Sequence, residues 1–499
     1  MSTITAVPGI QPDGKAPVLP RQSAPRRCDA TRYMCASIFL GHDKEIRKNL
    51  RAFAADRHHA SVPNYGLNVR LLVRVLDFFD RRKFRFALWH GPLGLLIFVV
   101  LVVMYATADE TTQPMTIFAI VLAAVLLAIP EYRQVMRNRY KYPLRYFSRA
   151  TFDPERAMEA FRNSHGKLER EIAGREFGGN TTVYGGFEPF TGEGGALGDW
   201  SLVIDTRKGK EGESPMKFSE QELEDAIQAS FDKLALPGLE IKEHLFVHGC
   251  DIGQIQELLP DRFTAPRSDV TEATLSAFRH SDSHDARVYK SLSAWSWNDQ
   301  VRISFFYRTI FQGPMLYIEA HSRVLHPVAA SYREIDNLTE PTAGKKFSIF
   351  IGLAIITPVL CLGESFGLFL RMRDASLLRK LEKVEKKKIE EQARYNYGAT
   401  SSLRESFSAL VYDHYFEKSD RELYLTAIEK QLLDSILEFL ESKNVDTSDL
   451  KEERTYIINS GLIVHGGLQT AALAVGDQAQ AMAGKKPRAQ KEKTGGKAA

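Results

Sequence analysis

Cysteine is scarce in this chain, and the few thiols form no recognisable pattern. The 499 residues contain four cysteines: Cys28, Cys35, Cys250 and Cys361. No Cys-x-x-Cys pair occurs, and the spacing of Cys28 and Cys35 is typical of neither zinc sites nor redox pairs. Cys361 lies in an apolar run, where cysteine behaves as a small hydrophobic residue. The pattern favours reduced thiols in a cytoplasmic setting over a disulfide scaffold.

A large net charge of either sign is also absent. The chain has 66 Lys and Arg residues against 62 Asp and Glu residues, which gives a formal charge of +4. That balance provides no electrostatic footprint for nucleic acid, so we expect no nucleic-acid partner.

No motif for catalysis, metal binding or cofactor binding stands out. Residues 185–198 hold six glycines. They lack the Gly-Lys-Ser/Thr ending of a phosphate loop, and the acidic Glu188 and Glu193 would repel phosphate. Residues 280–285 (HSDSHD) could hold a metal, but nothing nearby in the sequence completes a site. We predict no catalytic residue, no metal and no cofactor, and we favour a role other than catalysis.

The first 30 residues lack the apolar stretch that a signal peptide requires. They are rich in proline and carry Arg21, Arg26 and Arg27. We expect residues 1–30 to be a disordered basic leader.

Long apolar runs are present, and two of them lie close together. Residues 87–108 are uncharged, and a helix of that length spans roughly 33 Å, enough for a hydrocarbon core of ~30 Å. A second run covers residues 115–129, after a short acidic turn. The sequence predicts a transmembrane hairpin over residues 86–130, with a buried hairpin in a soluble core as the alternative.

Basic residues flank this hairpin on both outer sides. Six Lys and Arg residues precede it between positions 70 and 85, six follow it between positions 133 and 149, and the connecting turn has none. Cytoplasmic loops are enriched in Lys and Arg. We therefore predict a multi-pass protein of the plasma membrane, with its N-terminus and main soluble domain in the cytoplasm.

A third apolar segment, residues 347–370, is interrupted by Pro358 and by Gly363 and Glu364. Its downstream flank is at least as basic as its upstream flank. The segment is predicted either to span the membrane or to break at these residues and return to the same side. Glu364 is a candidate functional residue, because ionisable groups within membrane segments usually have a functional role.

The remaining segments are predicted to be soluble. Residues 31–85 have the apolar spacing of juxtamembrane helices, and residues 150–343 read as an α+β domain. In that domain Ser219 and Glu222 form a capping box, and two strands around Gln312-Gly313-Pro314 form a hairpin over residues 301–325.

An aromatic and glycine-rich stretch precedes the strand around Trp200. Tyr184, Phe187, Phe190 and Trp200 are its large aromatic residues. They are typical of anchors that hold an irregular loop in place. If the protein binds a partner, this loop is the candidate ligand or partner site, and a protein is the expected partner.

The C-terminal third is predicted to be a charged helical region over residues 371–454. Residues 455–481 contain short β-branched runs punctuated by glycine, which favour a small β module suited to edge-to-edge association. Residues 482–499 are rich in lysine and glycine and are expected to be disordered. The fold class that follows is an integral membrane α-helical protein, with a two-span hairpin and a third membrane segment. It carries an α+β cytoplasmic domain and a helical C-terminal region, and homo-oligomers are expected.

Several stretches resemble a family of uncharacterised actinobacterial integral membrane proteins. They are RYMCASIFL, DRHHASVPNYGLNV, TTVYGGFEPFTGEGGALGDWSLVID, the hairpin around Gly313, and NSGLIVHGGLQTAALAVGD. The resemblance extends over most of residues 31–481. It implies a membrane-tethered architecture and carries no established activity, cofactor or catalytic residue.

Three functions remain open at this point. The first is a membrane-anchored interaction, sensor or scaffold protein, which has the lipid bilayer and a second copy as partners. The second is a small channel or membrane effector gated by the soluble domain, in which Glu364 would be central. The third is an enzyme whose site in the α+β domain is assembled from residues distant in sequence.

Overall fold

The computed structural model describes most of residues 29–465 and omits short stretches, namely 56–57, 110, 163–168, 170–171, 173–177, 235, 280–284, 298–299, 393, 410–411 and 413. The predicted disordered tail over residues 482–499 lies outside the described residues, and so does the leader up to residue 28. Asp29 already begins a helix, so the predicted leader is shorter than 30 residues.

The N-terminal helices pack against the first half of a long helix. α1 (Asp29–Ser37) and α2 (Asp43–Ala55) are joined by a π-helical turn at Ile38–His42. α3 (Val69–Ala106) begins after Asn68, whose side chain accepts a hydrogen bond from the Leu71 N–H.

Two apolar helices form the predicted hairpin. α4 (Gln113–Met136) follows α3 and packs against it, and a π-helical turn at Arg137–Lys141 leads into α5 (Tyr142–Tyr146). Two helical stretches, Val69–Ala106 and Gln113–Tyr146, are long and apolar enough to cross a membrane. Only 17% of the most apolar window of each is buried, which argues against a hairpin in a soluble core.

Residues from both flanks of the hairpin share one hydrophobic core. Before the hairpin come Met34, Leu50 and Leu72, and after it come Phe147 and Phe161 at the end of α6 (Pro154–Ala160). Rings pack closely here, since Phe147 stacks on Phe161 at 5.9 Å between centroids. This core joins the two ends of the hairpin into one folded unit.

The described strands form one mixed sheet in the order β1-β3-β4-β5-β6-β2. The strands are β1 (Thr181–Tyr184), β2 (Gly195–Asp205), β3 (Glu240–His248), β4 (Ala286–Ser296), β5 (Val301–Gln312) and β6 (Met315–Leu325). β1 and β3 are parallel, and the other neighbours are antiparallel. The β5–β6 hairpin turns at Gly313, which has a φ of 62°, so the predicted hairpin is confirmed. The region that contains the sheet is therefore α+β, as predicted.

One face of this sheet is covered by helices. α7 (Glu220–Asp232) starts with the predicted capping box of Ser219 and Glu222, and α8 (Glu272–Arg279) packs beside β3 and β4. Apolar side chains on this face, such as Leu292 and Phe305, pack against α7 and a C-terminal helix.

The third apolar segment forms part of one long helix, α9 (Ala343–Glu391). Its backbone remains helical through Pro358, Gly363 and Glu364, so the interruption predicted there is wrong. Proline removes one backbone hydrogen bond, but packing against neighbouring helices compensates in such settings. α9 packs on both α3 and α4.

A close contact fixes α9 against the hairpin. A Cβ atom on Gly94 would overlap the Cys361 Sγ atom, so glycine is what permits this approach. The same thiol lies 3.9 Å from Nδ1 of His90, whose Nε2 is 3.0 Å from the Leu127 carbonyl oxygen. Three helices therefore meet around His90.

The C-terminal region is helical as far as the structure describes it. α10 (Leu403–Ser406) and α11 (Tyr415–Ser442) are followed by α12 (Ser448–His465). The β module predicted for residues 455–481 is wrong over residues 455–465, which continue α12. Ile457 of that helix is buried against the helix-covered face of the sheet. Residues 466–481 lie outside the described residues.

Candidate partner-binding face

The sheet has a second face, which α7 and α11 do not cover. Side chains alternate across a strand, so Phe305 of β5 points to the helices while its neighbours Ser304 and Phe306 point away. We call this second surface the open face. Polar and aromatic side chains dominate it.

The stretch from Tyr184 to Trp200, here called the aromatic loop, folds back onto the open face. Phe190 is 4% exposed, and its ring centroid lies 4.8 Å from that of Phe246 and 4.9 Å from that of Phe306. The Arg323 guanidinium sits 4.5 Å above the Phe190 ring. Phe190 therefore anchors the loop in the centre of the face.

A buried ion pair holds the same loop in place. Glu193 is 1% exposed and accepts hydrogen bonds from Arg302, from Ser304 Oγ at 2.7 Å and from the Tyr65 hydroxyl at 2.7 Å. The Arg302 guanidinium also lies 3.4 Å from the centre of the Tyr65 ring. Burial alone would lower the pKa of Arg302, but Glu193 offsets this and the pKa is raised. Arg302 therefore remains charged.

A second carboxylate, that of Glu405, forms hydrogen bonds with the backbone of the loop. Glu405 Oε1 accepts hydrogen bonds from the backbone N–H groups of Gly192 at 2.8 Å and Gly194 at 2.9 Å. Gly194 has a φ of 95°, and a Cβ there would overlap the Val324 carbonyl group. Burial raises the pKa of the Glu405 carboxyl, against the lowering effect of these backbone hydrogen bonds.

Glu405 belongs to a segment, residues 394–405, that we call the strap. The strap follows α9 and runs along the β1 edge of the sheet. The Ala399 N–H donates to the Val183 carbonyl at 3.0 Å, and the Ala399 carbonyl accepts from the Gly185 N–H at 2.8 Å. Asn396 Nδ2 donates to the Gly185 carbonyl at 2.9 Å. The strap thus contacts the first residues of the aromatic loop as well as its far end.

The tip of the loop is exposed, unlike its anchors. The Phe187 side chain is 95% exposed. Next to the loop lies a shallow groove of about 360 Å³, which Ser201, Val203, Arg287, Arg308, Tyr317 and Glu319 help to line. Tyr289 connects the two features, because its ring packs on Phe190 and its hydroxyl donates to Glu319 at 2.8 Å.

The four aromatic residues singled out in the sequence do not form one cluster. Phe190 is buried, Phe187 is exposed, and Tyr184 packs edge-on against His248 at the end of β3. Trp200 lies on the opposite, helix-covered face. Of the four, only Phe187 offers a large apolar surface to a partner.

Trp200 and Glu364 lie away from the open face. Trp200 packs 6.5 Å from Phe305, and its indole N–H faces the buried Glu429 carboxyl without a well-formed hydrogen bond. Glu364 is in α9, and its side chain is outside the described part of the structure.

No group of three His, Cys, Asp or Glu side chains within the described ranges could hold a metal ion. Most of the HSDSHD run lies outside those ranges, and only its last residue, Asp285, is described.

Sequence reasoning missed the residues that fix the loop. Arg302, Tyr65 and Glu405 lie far from Glu193 in the sequence, so no local pattern links them. One signal was available, since Arg302 stands near the start of a strand whose next residues include Ile303, Phe305 and Phe306. A charge at such a position requires a buried partner.

The chain therefore combines apolar helices with an α+β domain, and the aromatic loop is held on the open face of the sheet by buried contacts. A family model, the AbeC-like domain, matches residues 199–471, which is more than half of the chain. The chain belongs to the AbeC-like domain family. The resemblance to a protein family expected from the sequence is confirmed at this level. No curated protein and no solved structure matches the chain.

Proposed function

We propose that this protein is a membrane-anchored binding protein, a sensor or scaffold, whose open face binds a protein partner. The exposure of Phe187 carries this proposal. The rest of the aromatic loop is fixed by Phe190, Glu193 and Glu405, so a fully exposed aromatic ring at its tip is held in a defined position. Rigid, exposed aromatic residues are typical anchors of protein interfaces.

The groove indicates the chemistry of the partner. Arg287 has a side chain that is 43% exposed, and its distance to Glu319 is 3.4 Å. Val203, which also lines the groove, is 53% exposed. A protein segment that places an apolar side chain on Phe187 and Val203, and a carboxylate on Arg287, would complement this surface.

Replacement of Phe187 by serine is expected to weaken binding of that partner strongly. The tagged full-length protein would be purified from its native membranes together with associated proteins. We expect at least one associated protein to decrease about tenfold or more with Phe187→Ser, as loss of an aromatic anchor costs more than ~1.4 kcal/mol. Met216→Ser, which removes an apolar side chain of 49% exposure elsewhere, is the matched control. An identical set of associated proteins in all three samples would contradict the proposal.

The shared core supports a same-side arrangement of the soluble regions. One packed core cannot lie on both sides of a bilayer, and Leu72 and Phe161 belong to the same core from opposite flanks of the hairpin. The same holds for α9. Ile335 before it lies in that core, and Ile389 near its end is buried with Val62. We propose that both ends of α9 lie on the side where the hairpin begins and ends, so that this unbroken helix lies along the membrane and does not cross it. The basic flanks favour the cytoplasmic side.

Cysteine labelling tests this arrangement. We expect Lys345→Cys and Lys387→Cys to react with an impermeant maleimide only in inverted vesicles, because both positions lie near the ends of α9, on the proposed cytoplasmic side. Asp109→Cys, in the turn between α3 and α4, should react only in intact cells. Labelling of Lys345→Cys and Lys387→Cys from opposite sides would mean that α9 crosses the membrane.

A further inference from the structure

The strap is the physical connection between the aromatic loop and α9. We propose that it couples the two, so that binding at the loop changes the position of α9, and a displacement of α9 changes the loop. The inference rests on the proposed function only for the role of the loop as a binding site. The coupling itself is carried by contacts of the strap with the loop and with the helix end.

On the loop side, the strap is attached at both ends. Asn396 and Ala399 bind Gly185 at the start of the loop, and Glu405 binds the N–H groups of Gly192 and Gly194 near its end. The loop therefore cannot move away from the open face without breaking contacts with the strap.

On the helix side, the strap begins directly after the buried end of α9. Ile389 is fully buried in a cluster that includes Tyr395 and Tyr397 of the strap. The Ile389 carbonyl accepts a hydrogen bond from Arg262 Nη2 at 2.9 Å, and the Tyr397 hydroxyl donates to the Arg262 carbonyl at 3.0 Å. Arg262 thus ties the end of α9 and the strap to the same point.

The backbone of the strap is closely packed, so the strap cannot deform locally when α9 or the loop is displaced. A Cβ on Gly398 would overlap the Tyr184 carbonyl, and a Cβ on Gly249 would overlap the Gly398 backbone. Three chain segments meet here without side chains between them. Packed elements of this kind shift as units rather than deform continuously.

Coupling between two sites acts in both directions at equilibrium. A displacement of α9 should therefore change the loop, and this can be measured without a known partner. Gly94→Leu inserts a side chain where Cys361 contacts α3 and should displace α9. Hydrogen–deuterium exchange of the full-length protein in micelles would then report on the loop. We expect peptides covering residues 183–195 to exchange about tenfold faster or more. Gly352→Leu is the control, since nothing lies within 4 Å of a Cβ at that position of α9.

Alkylation of the native Cys361 thiol verifies that α9 has moved. Thr357→Lys, which places a charge at a fully buried position of α9, is a second displacing variant. Loop exchange at the wild-type rate, in a variant whose Cys361 has become reactive, would overturn the proposal. The proposal would fail equally if neither variant changed the exchange of the loop.

The reverse experiment releases the strap. Asn396→Ala combined with Glu405→Ala, which removes the acceptor for Gly192 and Gly194, should increase Cys361 alkylation several-fold, and adding Gly94→Leu should then leave loop exchange unchanged. Independent, additive effects would overturn the coupling. None of these readouts uses a partner, so a failed coupling is distinguishable from a failed binding proposal.

Discussion

Replacing Arg302 by methionine is expected to lower the free energy of unfolding by about 3–5 kcal/mol. The substitution removes the cation that faces Glu193, and the carboxylate is then left buried without a charged partner. It also removes the guanidinium that packs on the Tyr65 ring. The loss can be measured by urea unfolding in micelles, followed by tryptophan fluorescence.

Two further variants make this prediction specific. Glu193→Leu together with Arg302→Met should recover part of the loss, because two apolar residues replace a buried pair without leaving a charge behind. Arg207→Met breaks an exposed pair with Asp205 and should leave stability unchanged. A cost for Arg302→Met no larger than that for Arg207→Met would show that the buried pair contributes nothing.

Glu429→Gln is expected to stabilise the protein at pH 8 by about 3 kcal/mol. Glu429 of α11 is 4% exposed. Burial raises the pKa of its carboxyl from the usual 4.5 to about 7, and the Trp200 indole counteracts this only in part. The folded protein therefore binds the proton more tightly than the unfolded chain does. The contribution of this carboxyl to the free energy of unfolding therefore decreases as the pH rises from about 4.5 to about 7. Above pH 7 it does not decrease further.

The pH dependence distinguishes this effect from simple repacking. Glutamine stays neutral at every pH, so the advantage of Glu429→Gln should shrink below pH 7 and vanish near pH 4.5. Glu438→Gln, at an exposed position of the same helix, should show no such trend. A stability difference for Glu429→Gln that is constant from pH 4.5 to pH 8 would contradict the explanation.

The hairpin and the sheet could be predicted because local patterns specify them. A 22-residue uncharged run needs no tertiary information to be recognised as a helix long enough to span a bilayer. The β5–β6 hairpin was equally visible, since two β-rich runs flank a short turn at Gly313. In both cases the deciding contacts are close in sequence.

Two errors have a tertiary cause. Residues 455–465 contain β-branched residues and a glycine, which favour a strand locally, but packing of Ile457 on the sheet stabilises a helix. Pro358 and Gly363 suggested a break, but α9 has neighbours on two sides that keep it helical. Local propensity is a weak signal where such packing is available.

The architecture of the candidate site was not predictable from local patterns. Glu193 was interpreted as one of two acidic residues on an exposed loop. Its partners Tyr65 and Arg302 lie more than 100 residues away in either direction. Their meeting depends on the fold of the whole chain, and a single sequence contains no record of it.

The shared core also constrains the order in which the protein is made. Leu403 and Phe407 complete the core that begins at Ala30. During synthesis the apolar hairpin emerges while these residues are still untranslated. The core can therefore close only after both apolar helices have been synthesised, and a nascent chain that ends before Leu403 exposes an unfinished apolar surface.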